Sequence, residues 1–468
     1  MTRFVVNCRD WQAVRFRAVL ALAVVLLNPL SSLVAGDRVL SKVPQSRGAF
    51  DAGIRIIVRA RPGSLPRVLV PGARNESSPS PDVLVALRRS QADGARRNLE
   101  AFLRSRGQST ARNLEDLWIV NAFALEATPD LVKELQRRGD VEAVYPDRYV
   151  KLVPTTSAQP QSPEPPADVA WGVAKTRATE VWEQLKVRGA GATIGHIDTG
   201  VDAAHPALAG RILLFKNFIN PNLPQPYDDN GHGTHTAGSI VGSANGIGVA
   251  PAAKLIVAKA LDGNGSGRLS GLLAAMQWML NPDGMDRPVA VSNSWGGPRN
   301  SLYQEEGVFR DAVKAWVDAG IVPLFSSGNS GPNTECVPGA YPESFAVGAT
   351  DKNDVDADFS SGAESTWDGQ TYIRPDLAAP GVVVYSAAPG GYYAWMSGTS
   401  MACPHVAGVV ALMKSARPSI TASEITKILT ESGTDLGRPG KDTRFGFGLI
   451  DAMKAVTAAR SQALSATP

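Results

Sequence analysis

The sequence predicts an α/β protein, a mostly parallel sheet with helices on both faces, preceded by a small α+β domain of split β-α-β layout. Three observations predict it. From residue 169 onward, short apolar runs alternate with amphipathic helical stretches, as strands buried on both faces require. Residues 82–153 read as strand, helix, strand, strand, helix, strand. Between the two regions, residues 154–168 break all periodicity, with Pro154, Pro160, Pro163, Pro165 and Pro166 among Ser, Thr and Gln. Such a stretch is an exposed linker open to proteolysis.

The chain has 468 residues, 44% of them hydrophobic, enough for two domains and one large core. It begins with Arg3, Arg9, Arg15 and Arg17, then the apolar run from Ala18 to Leu27, then Val34-Ala35-Gly36. That order predicts a secretory signal peptide over residues 1–36, and hence a secreted product, extracellular or periplasmic. The competing reading is a membrane anchor, but the apolar run is about half the ~20 residues a spanning helix needs; no stable anchor is expected. Residues 37–81 carry Pro62-Gly63, Pro71-Gly72 and Pro79-Ser-Pro81 and read as a low-complexity extension.

In residues 82–153 the expected elements are a strand from Val83 to Leu87, a helix from Gly94 to Ser105, strands at Leu117–Val120 and Phe123–Ala127, a helix from Pro129 to Arg138 and a strand at Val141–Val144. In residues 169–460 the expected strands are Thr193–Ile197, Leu255–Ala260, Val289–Asn293, Ile321–Phe325 and Phe345–Val347. The expected helices there are His235–Val241, Leu269–Met279, Val308–Ala319, Met401–Lys414 and Ala422–Thr430. Residues 461–468 form a C-terminal tail.

Charge is unevenly placed. The first 36 residues carry a net +3, residues 37–154 a net +6, and the remainder a net −6. A basic middle segment and an acidic remainder favour mutual association, although an Arg-rich solvated surface explains the middle segment equally well. No basic run is interleaved with aromatics, which argues against nucleic-acid binding. Of the three cysteines, Cys8 belongs to the signal segment; Cys336 and Cys403 are too few for a disulfide framework and lack zinc-ligand spacing.

All five histidines, His196, His205, His232, His235 and His405, follow the Pro-rich linker. A nucleophilic serine needs a base within hydrogen-bond reach and an acid that orients the base. Asp198 ends the strand Ile194-Gly-His-Ile197. His232 lies in Asn230-Gly-His-Gly-Thr-His-Thr-Ala-Gly238, where a helix begins. Ser400 lies in Ser397-Gly-Thr-Ser-Met-Ala-Cys-Pro-His-Val-Ala-Gly408, a turn opening a long apolar helix. Carboxyl ends of strands and helix starts at one edge of a parallel sheet are where α/β sites assemble. A helix N-terminus also favours negative charge developing at Ser400. A fourth segment, Phe325-Ser-Ser-Gly-Asn329, supplies an amide suited to an oxyanion.

These four segments, in this chain order, resemble those of the subtilisin-like serine peptidases, and the likeness spans residues 169–460. The resemblance implies that Asp198 orients the imidazole, His232 takes the Ser400 proton, Ser400 attacks the carbonyl, and Asn329 with the Ser400 N–H stabilises the oxyanion, Thr399 packing alongside. It also implies an inhibitory pro-domain over 82–153, acting as an intramolecular inhibitor, and polypeptide substrates held as an added strand. The segments matching the family's strand-binding edges are Gly265-Ser266-Gly267 and Ser294-Trp295-Gly296. Ser326, Ser327 and Gly328 match a wall of the primary specificity pocket, and Cys336 falls near its base.

His232-x-x-His235 lacks the Glu of a zincin helix, and His235 reads as a residue supporting the site. Asp262-Gly-Asn-Gly-Ser-Gly267 is no phosphate cradle, because no Gly-Lys-Ser follows. Ala207 stands where calcium-binding relatives place an acidic residue, so no metal is expected there; Asp351, Asp354, Asp356 and Asp358 read as a solvated loop. No cofactor is expected, and the protein is expected to be a monomer. Cys403 reads as a small buried packing residue. The whole reads as a serine endopeptidase made as a self-inhibited zymogen. Two alternatives are an esterase, which would need Ser before His and a Gly-x-Ser-x-Gly elbow, and a silent peptide-binding module, which would lack a triad member.

Overall fold

The computed structural model describes residues 53–62, 80–106, 111–152, the backbone of 156–157, and residues 168–299 and 307–465, side chains of the last helix being described to residue 461. The expected signal peptide lies outside the described residues. Among the described residues no helix is long and apolar enough to cross a membrane.

The N-terminal part of the described structure consists of β1 (Ile54–Ala60), α1 (Pro81–Arg106), β2 (Ala111–Leu117), β3 (Ala122–Ala127), α2 (Pro129–Gln136) and β4 (Val141–Pro146). Its sheet is four-stranded in the order β2-β3-β1-β4 and antiparallel. Within residues 82–153 the expected first strand is absent, and the β-α-β-β-α-β order is completed by a strand from outside that range. Ile54-Arg-Ile-Ile-Val-Arg-Ala60, inside the segment read as a low-complexity extension, is a central strand with Ile56, Ile57 and Val58 buried. Val83–Leu87, read as a strand, is the start of α1.

The physical reason is an ambiguity of short apolar runs. Five such residues fit either period, and only their continuation into the 26-residue α1 decides. Likewise Leu117–Val120 is the end of β2 followed by a 3-10 turn at Trp118–Val120. The strand itself lies earlier, where Arg112, Asn113, Glu115 and Asp116 give an edge strand little apolar signal.

Two short strands follow, β5 (Tyr149–Lys151) and β6 (Thr156–Ser157). The chain after residue 168 contributes β7 (Thr193–Asp198), β8 (Ile212–Asn217), α3 (His232–Val241), β9 (Lys254–Lys259), β10 (Ser266–Arg268), α4 (Leu269–Met279), β11 (Ala290–Asn293) and α5 (Val308–Asp318). It continues with β12 (Val322–Ser326), β13 (Phe345–Thr350), β14 (Leu377–Pro380), β15 (Val384–Ala388), β16 (Tyr392–Ser397), α6 (Thr399–Ala416), α7 (Ala422–Ser432) and α8 (Ala452–Ser465). Seven strands form a parallel sheet in the order β14-β13-β12-β11-β7-β9-β8.

Alternate side chains of each strand enter opposite cores. Leu255 and Val257 of β9 face the layer containing α3, α6 and α8, while Ile256 and Ala258 face α4 and α5. The expected α/β class, with helices on both faces, is therefore borne out. All five helices expected in residues 169–460 are present with ends within three residues of the expected ones, whereas β8 and β14 lack a clear apolar signal because one is partly exposed and the other is four residues long.

The N-terminal sheet and its helices pack on α4 and α5. Asp147 is buried, and its carboxylate accepts from Ser270 N at 2.9 Å and Ser270 Oγ at 2.7 Å, satisfying donors at the start of α4. The Gln277 side chain bridges Ile119 N and Asp116 O at 3.1 and 3.0 Å. Ion pairs Arg88–Asp318 (2.7 Å), Arg59–Asp311 and Asp82–Arg287 complete the contact.

Because β1 lies between β3 and β4, removing residues 1–60 should unravel the small sheet and leave the large one intact. Hydrogen exchange should then accelerate across Ala122–Ala127 and Val141–Pro146 and stay slow across Thr193–Asp198. Unchanged protection in all three segments would show that β1 is dispensable.

Candidate active site

Asp198 is the last residue of β7 and has no exposed surface. Its Oδ1 accepts from Thr199 N at 2.7 Å and faces His232 Nδ1 at 2.7 Å. His232 is the first residue of α3, after Gly231 at φ +97°, a conformation that favours glycine. At the next position a Cβ would stand 2.2 Å from Gly200 O, so only glycine lets the two turns meet.

Burial disfavours charge on both partners, yet each is shifted the other way. Burial would lower the His232 pKa, but the carboxylate of Asp198 outweighs it and raises it. Burial would raise the Asp198 pKa, but His232, with smaller help from His196 and Thr199 N, holds it below the ordinary value.

Ser400, second residue of α6, is also fully buried. Its Oγ donates to Ser294 O at 3.2 Å, and His232 Nε2, also buried, has no hydrogen-bond partner. The Asp198–His232 link is thus made, while the Ser400 hydroxyl is turned toward the neighbouring carbonyl. Asn329 is anchored by its Oδ1, which accepts from Thr399 N at 2.9 Å and Thr399 Oγ1 at 2.8 Å. That orientation directs its amide nitrogen away from Thr399. The Thr399 hydroxyl in turn accepts from Gly328 N at 3.2 Å.

The Gly265-Ser266-Gly267 edge carries an antiparallel strand from the chain itself. Lys151 lies opposite Ser266, Val150 opposite Gly267 and Tyr149 opposite Arg268, and Leu152 N donates to Gly265 O at 2.7 Å. A Cβ on Gly265 would sit 2.8 Å from Leu152 Cδ1. Beyond Leu152, Thr156 and Ser157 pair antiparallel with Ser397 and Met396, just ahead of Ser400. The chain is therefore held on both sides of the residues that precede the nucleophile.

Ser294 Oγ donates to Ser400 O at 2.9 Å. Trp295, grouped above with the cleft, turns its side chain into the core between Phe309 and Phe325, leaving its backbone for the edge. At Gly296 and Gly328 an added Cβ would approach Cys336 Sγ and Cys336 Cβ at 2.9 and 2.6 Å, so the Cys336 side chain fills the space between these two glycines. Ser327 is buried beside them. Burial pushes the thiols of Cys336 and Cys403 up to about 12, and both are free.

His235 is neutral: burial first, then His232, lower its pKa to about 3, and its Nε2 lies 3.1 Å from both Val384 O and Ala394 O. Asp354 and Asp356 pair with Lys175 and Arg444, and Asp351 accepts from the backbone of Asn353 and Val355.

Two residues of the site escaped sequence reasoning. Asp228 gathers the turn before His232, accepting from Gly231 N (2.9 Å), Thr234 N (2.8 Å) and Thr199 Oγ1 (2.9 Å). Lys259, fully buried, donates to Asp229 Oδ1 at 2.6 Å, to Leu261 O at 3.1 Å and to Thr199 O. A lysine closing the apolar run Leu255-Ile-Val-Ala258 was the available signal, since a charge there must be paired.

A model of the subtilase family matches residues 189–448. Bacillopeptidase F of Bacillus subtilis (strain 168) is 38% identical over 383 residues, 73% of this chain but 26% of that protein's own length. Serine protease AprX of the same strain is 33% identical over 371 residues, 72% of this chain and 79% of the relative. Subtilisin Savinase of Lederbergia lenta is 37% identical over 291 residues, 61% of this chain and 98% of the relative.

Nuclear magnetic resonance titration of the Ser400→Ala chain should find His232 above the ordinary imidazole value of about 6.5. In Asp198→Asn, burial is opposed by the smaller pull of Asp228 alone, and the value should fall below it. The charged pair stabilises the fold below about pH 6.5, is lost as pH rises through the raised His232 value, and is lost in acid as pH falls through the depressed Asp198 value. The melting-temperature gap between the two chains should therefore be widest at about pH 4–6.5; a gap independent of pH would refute the pairing.

Proposed function

The chain belongs to the subtilase family, a serine-type peptidase acting on polypeptides, and from that premise we propose that it is a secreted endopeptidase made as a self-inhibited zymogen. The observation that carries the zymogen reading is the strand Tyr149–Lys151 lying on the Gly265–Gly267 edge, where a substrate backbone would bind. Secretion rests on the order of basic, apolar and small residues in positions 1–36.

In the proposed mechanism the Ser400 hydroxyl turns from Ser294 O to His232 Nε2. As Oγ attacks the substrate carbonyl carbon, Nε2 takes its proton, and Asp198 stabilises the imidazolium that forms. The carbonyl oxygen becomes an oxyanion between Asn329 Nδ2 and the Ser400 N–H, at the positive end of α6. Collapse breaks the C–N bond, His232 returns the proton to the leaving amine, and water repeats the sequence to release the acid from Ser400. Gly265, Ser266 and Gly267 on one side, and the backbone of Ser294, Trp295 and Gly296 on the other, hold the substrate strand, while Ser327 and Gly328 wall the primary pocket. The esterase and the silent binding module have no support: Asp, His and Ser are all present in the peptidase order, and the relatives are named as proteases.

The first bond cut is proposed to lie between Leu152 and Thr156, since those residues are the nearest ones paired to the two sides of the site. Purified Ser400→Ala chain should stay full length, whereas the parent should yield a mature N-terminus at residues 153–156 by Edman sequencing. Normal maturation of Ser400→Ala without added protease would sink self-processing. In the mature enzyme, Asn329→Ala should lower kcat by about 100- to 1000-fold with KM little changed. A separate polypeptide of residues 51–153 should inhibit the mature enzyme at micromolar concentration, and no inhibition would reject the pro-domain assignment.

A further inference from the structure

We propose that His196 is a positioning residue for the peptidase reaction, acting through the Thr236 hydroxyl to hold the second oxygen of Asp198 in place. The inference rests on the reading of Asp198 as the acid of the site. His196 and Asp198 are two residues apart on β7, so their side chains enter the same core layer, under α3. Both are buried, and His196 Nε2 lies 3.9 Å from Asp198 Oδ2.

Asp198 Oδ1 is held by Thr199 N and His232 Nδ1. Among the described residues, the hydrogen-bond donor to Oδ2 is Thr236 Oγ1 at 3.4 Å. That hydroxyl has one proton and three acceptors within reach: Asp198 Oδ2, His232 O at 3.1 Å and Gly233 O at 3.1 Å. His196 Nε2, 2.8 Å away, decides where the proton can go.

If Nε2 carries hydrogen, it donates to Thr236 Oγ1, and the Thr236 proton stays available to Asp198 and the helix carbonyls. If Nδ1 carries it, Nε2 draws the Thr236 proton to itself, and Asp198 Oδ2 faces a bare oxygen lone pair. The second arrangement would also bury an N–H without a partner, because Nδ1 has none. An orphaned lone pair costs less than an orphaned donor beside a carboxylate facing the wrong way, so the Nε2–H form prevails.

The ring must also stay neutral, since a cation here would compete with His232 for the same carboxylate. Burial lowers its pKa first; Asp198 and Asp228 pull it up and His232 pushes it down, the net being down. Its register neighbours on β9 and β11 are Val257 and Ser292, neither charged, and Thr236 covers it from α3. A neutral N–H dipole thus fixes the carboxylate rotation without taking its charge. Without it, Asp198 can rotate about χ2, and the Oδ1 contact with His232 Nδ1 loosens.

The test compares the processed enzyme with His196→Leu, His196→Gln and Thr236→Val on a tetrapeptide p-nitroanilide, over pH 5–10. His196→Leu should lower kcat by about 10- to 100-fold. KM should hold within about twofold, because the residue does not touch the cleft. The acid limb of kcat/KM should move to lower pH, as His232 loses part of its raised pKa. His196→Gln, which keeps a donor near the Nε2 position, should restore most of kcat and the limb. Thr236→Val should match His196→Leu, and the double variant should be no worse than either.

Melting temperatures should not fall in His196→Leu, since an apolar side chain replaces an incompletely satisfied polar one. Unchanged kcat in His196→Leu, no rescue by Gln, or additive losses would overturn the proposal; should His196→Leu fail to fold, Thr236→Val and His196→Gln decide it by the same criteria. Asp198→Asn serves as the control. If it too is fully active, the reading of the site has failed; if it is disabled while His196→Leu is not, only the role of His196 has.

Discussion

A carboxylate with no exposed surface sits at the end of β7, inside the seven-stranded sheet, and the structure around it is arranged so that it can stay ionised there. An unpaired charge at such a depth would cost more than the fold can supply. Asp198 is compensated by an imidazole at 2.7 Å and a backbone N–H at 2.7 Å, both delivered by turns next to it. Bringing those turns together requires a glycine at 233, the acidic collar of Asp228 and the buried ammonium of Lys259, which ties the turn after β7 to the loop before α3. The raised pKa of His232 and the stability of this corner therefore share one cause.

Most of the site was legible because its chemistry is written in contiguous segments. A polar residue closing an apolar strand, or opening a helix after glycine, announces itself within ten residues, and a parallel sheet gathers such ends on one edge. The fold class was legible for the same reason. What escaped depends on partners far along the chain. Lys259 and Asp228 matter through contacts with Thr199, which no local pattern displays. Trp295 adjoins residues of the edge, yet its ring belongs to the aromatic cluster with Phe309 and Phe325.

The N-terminal sheet shows the limit of periodicity more sharply. β1 was hidden because its flanks are rich in Pro, Gly and Ser and the strand itself is only seven residues long. Its pairing partners, β3 and β4, lie 60 to 90 residues downstream in the register Ile57–Ala124 and Ile57–Tyr145. Val83–Leu87 looked like the missing strand because five apolar residues satisfy either geometry. Of the ion pairs across this contact, Arg59–Asp311 and Arg88–Asp318 follow the sign of the charge contrast in composition, whereas Asp82–Arg287 runs the opposite way.

The strand on the Gly265–Gly267 edge is joined covalently to the domain it covers. While that joint is whole, the local concentration of the strand is set by the length of the connecting chain and does not change when the protein is diluted. Once the joint is cut, the same contacts belong to two molecules, and occupancy follows their abundance. On this view, dispersal into a large volume would itself be what clears the cleft, with the small sheet departing as a unit that no longer has a reason to return.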